Sequence, residues 1–271
     1  MQKYKKIFLV LLSFLLFKCQ YEAKRNNPFD PGSSGALYYS ILTGGLQTTT
    51  VTGASASSFP QITNTIVSII NTSADMYGLT FDGTNLWYVT RSGTVFKYTY
   101  QKISTTGIAV SALDPLDCGL DIAFRSNELY CGGSGEIQKL NPTTGALLYK
   151  TTTSVDCWGF ESDGTDLWCN NGYSNKITKI SPSNGSIILT IQSPEGNNTT
   201  DINGGGIVFK GSVFFASWTS GKIFRANALT GEITGYMNNP CSYITYFASD
   251  GNYLYAACAQ SYRKIYKLSI P

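Results

Sequence analysis

The sequence predicts an all-β fold built from a repeated unit. Three observations carry that prediction: five look-alike segments at a regular spacing, a period-two run of bulky residues in each, and glycine-marked turns at fixed places between the runs. The copies read YGLTFDGTNLWYVTRSGTVFKY from Tyr77, CGLDIAFRSNELYCGGSGEIQKL from Cys118, WGFESDGTDLWCNNGYSNKITKI from Trp158, GGIVFKGSVFFASWTSGKIFRA from Gly205 and ITYFASDGNYLYAACAQSYRKIYKL from Ile244. With the apolar residue two before the basic one as ruler, the copies align on Val95, Ile137, Ile177, Ile223 and Ile265, at intervals of 42, 40, 46 and 42 residues. A period of that length marks a repeat array rather than one wound domain.

Each run is short, aromatic-rich and bounded by Gly, Asn, Asp or Ser, as half-buried strands are. Asp82-Gly83, Asp163-Gly164 and Asp250-Gly251 fall between the first two strands of their copies, where a tight hairpin needs positive φ. A second turn recurs as NPTTG from Asn141, SPSNG from Ser181 and NALTG from Asn227, giving about four strands per unit. Bulky apolar groups stand on both alternating faces, so each sheet must be covered on both sides by its neighbours. The expected architecture is a β-propeller of five four-stranded blades over residues 64–271, with six blades and a degenerate first one as the alternative. NTIVSIIN, from Asn64 to Asn71, reads as an outer strand without a blade of its own, and the last copy stops at Ile270 after its third strand; pairing the two closes the ring. Residues 37–63 form an irregular lead-in whose LYYSILT could add a strand.

The pattern FDG-x-x-LW followed by G-x-I-x-K-I-x-P-x-T-G resembles repeats of the NHL, YVTN and quinoprotein-like propeller superfamily. The resemblance implies the fold; such propellers bind proteins, sugars or cofactors or catalyse varied reactions, and the fold does not choose among them.

The amino terminus carries Lys3, Lys5 and Lys6 and then an uncharged apolar stretch, Ile7 to Phe17, the plan of a signal peptide over residues 1–18. Leu15-Leu16-Phe17-Lys18-Cys19 resembles a relaxed lipobox, which implies acylation of Cys19 and a bilayer as partner. Residues 19–36, rich in polar residues, Pro and Gly, read as the lipidated tether. The expected location is an outer membrane or cell surface, on an exported and lipid-anchored monomer. Removing Lys3, Lys5, Lys6 and Lys18 from the 20 basic residues leaves sixteen against 17 acidic, with no basic stripe to neutralise phosphates, so nucleic acid is not an expected partner.

Six further cysteines fall in register: Cys118, Cys157 and Cys241 precede an inner strand, and Cys131, Cys169 and Cys258 end the next. Both places lie at the same end of an up-and-down blade, which makes 118–131, 157–169 and 241–258 the first choice of pairing; buried free thiols are the alternative. A zinc site does not fit, because the spacing is not C-x-x-C and histidine is absent.

The lack of histidine also excludes Ser-His-Asp and Cys-His nucleophile systems, and no catalytic residue is assigned. Asp75, Asp117, Asp156 and Asp201 stand just before inner strands, where they could converge on a cation at the channel mouth; calcium is the ion such a set takes, and no cofactor is required. An Asp capping its own turn is the simpler role. Tyr77, Trp158, Trp218 and Tyr243 near that mouth are candidates to stack on sugar or peptide, whereas Trp87 and Trp168 belong to the core. Lys97, Lys139, Lys179, Arg225 and Lys267, one per copy, read as solvated strand residues. The leading functional expectation is a noncatalytic lipoprotein that binds an extracellular or envelope protein or glycan. The alternative is a propeller enzyme: a lyase, a lactonase or a cyclase. Plant-type glutaminyl cyclases carry a Gln-Gly-Leu, Tyr-Glu-Ser-Thr signature, and Tyr77-Gly78-Leu79 with Trp87-Tyr88-Val89-Thr90 lacks its glutamate.

Overall fold

The computed structural model describes residues 58–92, 97–116, 118–119, 121–133, 135–171, 175–194, 206–217, 220–241, 245–259 and 262–271. The first strand, β1 (Thr65–Asn71), precedes any complete blade. Blade I follows as β2 (Leu79–Phe81), β3 (Asn85–Ser92), β4 (Lys97–Ser104) and β5 (Ala109–Leu116), and blade II as β6 (Ile122–Arg125), β7 (Glu128–Gly133), β8 (Glu136–Leu140) and β9 (Leu147–Thr152). Blade III holds β10 (Cys157–Ser162), β11 (Leu167–Asn171), β12 (Lys176–Ile180) and β13 (Ile187–Gln192), and blade IV holds β14 (Ile207–Phe209), β15 (Ser212–Ser217), β16 (Lys222–Asn227) and β17 (Ile233–Asn238). Blade V is β18 (Thr245–Ser249), β19 (Leu254–Cys258), β20 (Lys264–Ser269) and, outermost, β1. All pairs within the blades are antiparallel, and β1 closes the ring with Thr65 opposite Ser269 and Asn71 opposite Lys264.

The five-blade count and the closure agree with the sequence. LYYSILT lies outside the described residues. The described end of the lead-in forms no blade: Gln61 bridges Tyr236 in parallel, and the Ile62 amide donates to the Tyr236 carbonyl at 2.7 Å, so residues 60–62 cover the outer edge of β17. Gly235 permits this, because a Cβ there would stand 2.8 Å from the Pro60 carbonyl oxygen.

The core is divided among the five seams between blades, which is why no unit could keep water off both faces alone. Trp168, Ile177 and Ile191 of blade III pack on Val213, Phe215 and Phe224 of blade IV, and Phe209 and Phe214 of blade IV pack on Phe247 and Leu254 of blade V. The ring shuts where Tyr246 and Tyr255 of blade V meet Leu79, Leu86 and Tyr88 of blade I.

A repeated polar clasp fixes the hairpin between the first two strands. Asp163 Oδ1 accepts from the Thr165 and Asp166 amides at 2.9 and 2.7 Å, while its Oδ2 accepts from the Trp168 indole at 3.1 Å and pairs with Lys179 at 2.8 Å. Asp82 does the same with Trp87 and Lys102, and Asp250 with Tyr255 and, at 3.9 Å, Lys267. The lysine of each clasp lies 5.0–5.7 Å from the centroid of its aromatic partner. Burial works to raise the Asp163 carboxyl, but the amides and Lys179 outweigh it and hold the group below its ordinary range.

Two sequence expectations are corrected here. The basic residue of blade I that matches Lys179 is Lys102, not Lys97: β3 and β4 each run eight residues, so Trp87 faces Lys102 and Lys97 faces Ser92. The recurring cations are also not simply solvated. Lys179 keeps 17% of its side chain exposed because it neutralises Asp163 and Asp166, Lys139 pairs with Glu128 at 3.1 Å, and Arg225 donates to Thr234 Oγ1 at 2.9 Å.

Candidate functional site

The ring has two ends of different character. At one end lie the hairpins with their clasps; at the other lie the starts of the inner strands, and there Cys118–Cys131, Cys157–Cys169 and Cys241–Cys258 are bonded, with Cα separations of 5.9, 5.3 and 5.3 Å. All three pairings match the sequence expectation. Such bridges form in an oxidising compartment, outside the cytosol or in a periplasm.

The disulfide end carries the predicted site residues that the structure describes. Asp75, in the connection from β1 to β2, and Tyr77 share a cavity of about 340 Å³ with Ser73, Ala74, Arg91 and Arg263. Arg263 Nε donates to Asp75 Oδ1 at 2.9 Å, so at this carboxylate a guanidinium stands where the sequence suggested a cation. The pair is open to solvent, with 54% and 39% of the side chains exposed, and a pair of that kind contributes about 0–1 kcal/mol. It is therefore exchangeable: an incoming carboxylate loses little by displacing Asp75. Arg263 also holds φ at +48°, a left-handed value that an L residue adopts only when its surroundings impose it. On blade III, Trp158 is 39% exposed and its indole donates to Asp156 Oδ2 at 3.1 Å. Asp117, Asp201, Trp218 and Tyr243 lie outside the described residues. Among the described residues, no group of three or more acidic or cysteine side chains is placed to hold a metal ion.

Sequence reasoning missed two carboxylates buried at the inner strands. Asp121, 3% exposed, accepts from its neighbour Ile122 at 2.8 Å, from Phe160 of blade III at 2.7 Å and from the Leu79 amide of blade I, so one side chain ties three inner strands together. Gly78 yields the space, since a Cβ there would collide with Asp121 Oδ1. Glu161, also 3% exposed, accepts from Ser162, and its Oε1 has no partner among the described residues. Burial pushes the Glu161 carboxyl well up, with the Asp121 charge adding to it, so it holds its proton beyond the ordinary carboxylate range. The signal was present as a break in the repeat: Glu161 faces Trp168 in the register where Thr80 faces Trp87 and Ala248 faces Tyr255. Both acids are sealed among the inner strands, and Asp121 joins three blades.

Neither a protein-family model nor a curated protein matches the sequence. Among solved structures the chain is similar to glutaminyl cyclase from Myxococcus xanthus, with a TM-score of 0.61 and 16% identity over 79% of this chain and 99% of that one. BamB from Moraxella catarrhalis aligns with a TM-score of 0.39 at 15% identity over 71% and 69% of the two chains. The β-propeller domain of Cps50 (Swd1) from Myceliophteria thermophila aligns at 0.44 and 10% over 77% and 100%. At these identities the likeness concerns the fold, and that fold is a β-propeller.

Proposed function

We propose that the protein is an exported, noncatalytic binding module, anchored through acylated Cys19, whose disulfide-bearing end grips an extracellular or envelope partner, protein or glycan. One observation carries the reading: the cavity at the seam of blades V and I gathers Arg91, Arg263 and Tyr77 around a weakly held Asp75, a set suited to an acidic group with an adjoining flat or apolar surface. The enzyme alternative is the weaker one, because Tyr88 stands where the cyclase signature has its glutamate, and Tyr88 is buried at the seam of blades V and I.

The test has two arms. Metabolic acyl labelling is expected to mark the native chain and to vanish in Cys19→Ser; label that persists in the variant removes the anchor. Purified ring is expected to bind intact envelopes, and Arg91→Ala with Arg263→Ala to weaken that binding about tenfold, the loss of a charge-assisted contact. Equal binding by the double variant removes the pocket from the reading.

A further inference from the structure

The hairpin end holds a second cavity, of about 470 Å³, at the seam of blades II and III. It is within the usual range of small-molecule sites. Blade II departs from the repeat at this place. Where blades I, III and V have the hairpin aspartate, it has Arg125, and its hairpin turns on Ser126 and Asn127 at φ +51° and +62°, with Arg125 directly opposite Glu128. A two-residue turn of that kind needs no side-chain acid to satisfy its amides, which frees position 125 for another use. The acid of the clasp has moved to Glu128, which accepts from Tyr130 Oη at 3.1 Å and pairs with Lys139 at 3.1 Å. Arg125 is thereby a surplus cation. Its Nε is buried without an acceptor, its Nη1 reaches Tyr130 Oη at 3.3 Å, and no carboxylate lies within ion-pair reach of it among the described residues.

Tyr149 of β9, the outer strand of blade II and 44% exposed, spans the seam by donating to the Ser183 carbonyl of blade III at 3.0 Å, which pins its ring at the cavity rim. The opposite wall comes from blade III, where Thr165, Asp166 and the turn at residues 181–183 line the cavity, and Asp166 is already paired with Lys179 at 3.1 Å. We propose that this cavity binds an acidic sugar, with the guanidinium of Arg125 taking the carboxylate, the exposed ring of Tyr149 flanking the sugar, and Glu128, Asp166 and the Thr165 hydroxyl receiving its hydroxyl groups, while Tyr130, its ring buried in the seam, holds Arg125 and Glu128 in place through its hydroxyl. The two lining carboxylates decide between anions. They repel a phosphate dianion, whose two charges sit on one centre with a single hydroxyl, but they accept hydrogen bonds from an acidic sugar, whose charges are spread one to a ring among several hydroxyl groups. The site is at the opposite end of the ring from the cavity of Asp75 and does not depend on it.

Calorimetric titration with digalacturonate, its methyl ester and inorganic phosphate tests the assignment. Digalacturonate is expected to bind, the ester at least tenfold more weakly, and phosphate without measurable heat. Arg125→Gln is expected to lower digalacturonate affinity at least tenfold. Arg125→Asp, which restores the residue type of blades I, III and V, is expected to abolish binding with the thermal transition intact; should that variant fail to fold, Arg125→Gln decides. Arg263→Ala is expected to leave the affinity unchanged. No binding of digalacturonate, equal binding of acid and ester, phosphate binding as tight as the sugar, or full affinity in Arg125→Gln overturns the proposal.

Discussion

Blades III and IV meet the same requirement, two apolar faces and a hairpin held in register, by different chemistry. Blade III uses polar devices: the Asp163–Trp168–Lys179 clasp, a second acid on the same lysine and the Cys157–Cys169 bond. Blade IV has no clasp aspartate and no cysteine, and fills its interior with Phe209, Phe214, Phe215, Phe224 and Met237. Its edge is covered by residues 60–62, and Lys210 reaches across to the Ile270 carbonyl at 3.0 Å. The polar blade fixes its register by directed bonds and accepts the desolvation of three charges, whereas the apolar blade relies on shape and on chain brought in from outside the repeat.

Substitutions can break this contrast. Trp168→Ala removes both a fully buried ring and an arm of the clasp, and is expected to cost about 3–5 kcal/mol, read as a lower denaturant midpoint. Phe214→Ala should cost a similar amount through the cavity alone, so a pH-independent loss at Phe214 beside a pH-dependent one at Trp168 is the expected signature. Replacing Cys157 and Cys169 together by serine opens a bridge with a sequence separation of 12, and should lower stability by about 3 kcal/mol in equilibrium unfolding. Loss of only a few tenths would mean that the clasp alone sets the register of blade III.

Asp163→Ala should cost about 2 kcal/mol at neutral pH, since it leaves the turn amides and the Trp168 indole without their acceptor. Because the folded carboxyl lies below its unfolded value of 3.8, its contribution is complete above that pH and fades as pH falls through the lower folded value. The variant should therefore show a shallower acid-side decline, measured by urea unfolding across that window; an unchanged slope would show that the clasp carries no linkage. The smallest effect is expected from Gly235→Ala, about 1 kcal/mol, as the new methyl displaces Pro60 and Ile62 from β17. Hydrogen exchange at the Ile62 and Tyr236 amides reports it directly, and unchanged protection there would dissociate the lead-in from the stability of blade IV.

The parts of the site that were legible lie close together in the chain. The disulfides could be paired from register because each joins neighbouring strands, and Asp75 and Tyr77 could be chosen because every inner strand begins at the same end. Arg263 could not be matched to Asp75, which stands 188 residues away and meets it only after the ring has closed. An even ruler lands on Lys97 and misses Lys102, because β3 and β4 are longer than the corresponding strands of blade III. Asp121 and Glu161 were passed over because a lone acid in a repeat has no visible partner until three blades converge.

The chain by itself determined the unit, since strand period, turn glycines and hairpin bridges are set by steric and covalent rules acting over a few to a few tens of residues. Only the tertiary structure decided which charges meet, which edge the lead-in covers and which cavities open between blades. Those contacts join residues far apart in sequence, and closing a loop of that length is favourable only when the whole ring forms.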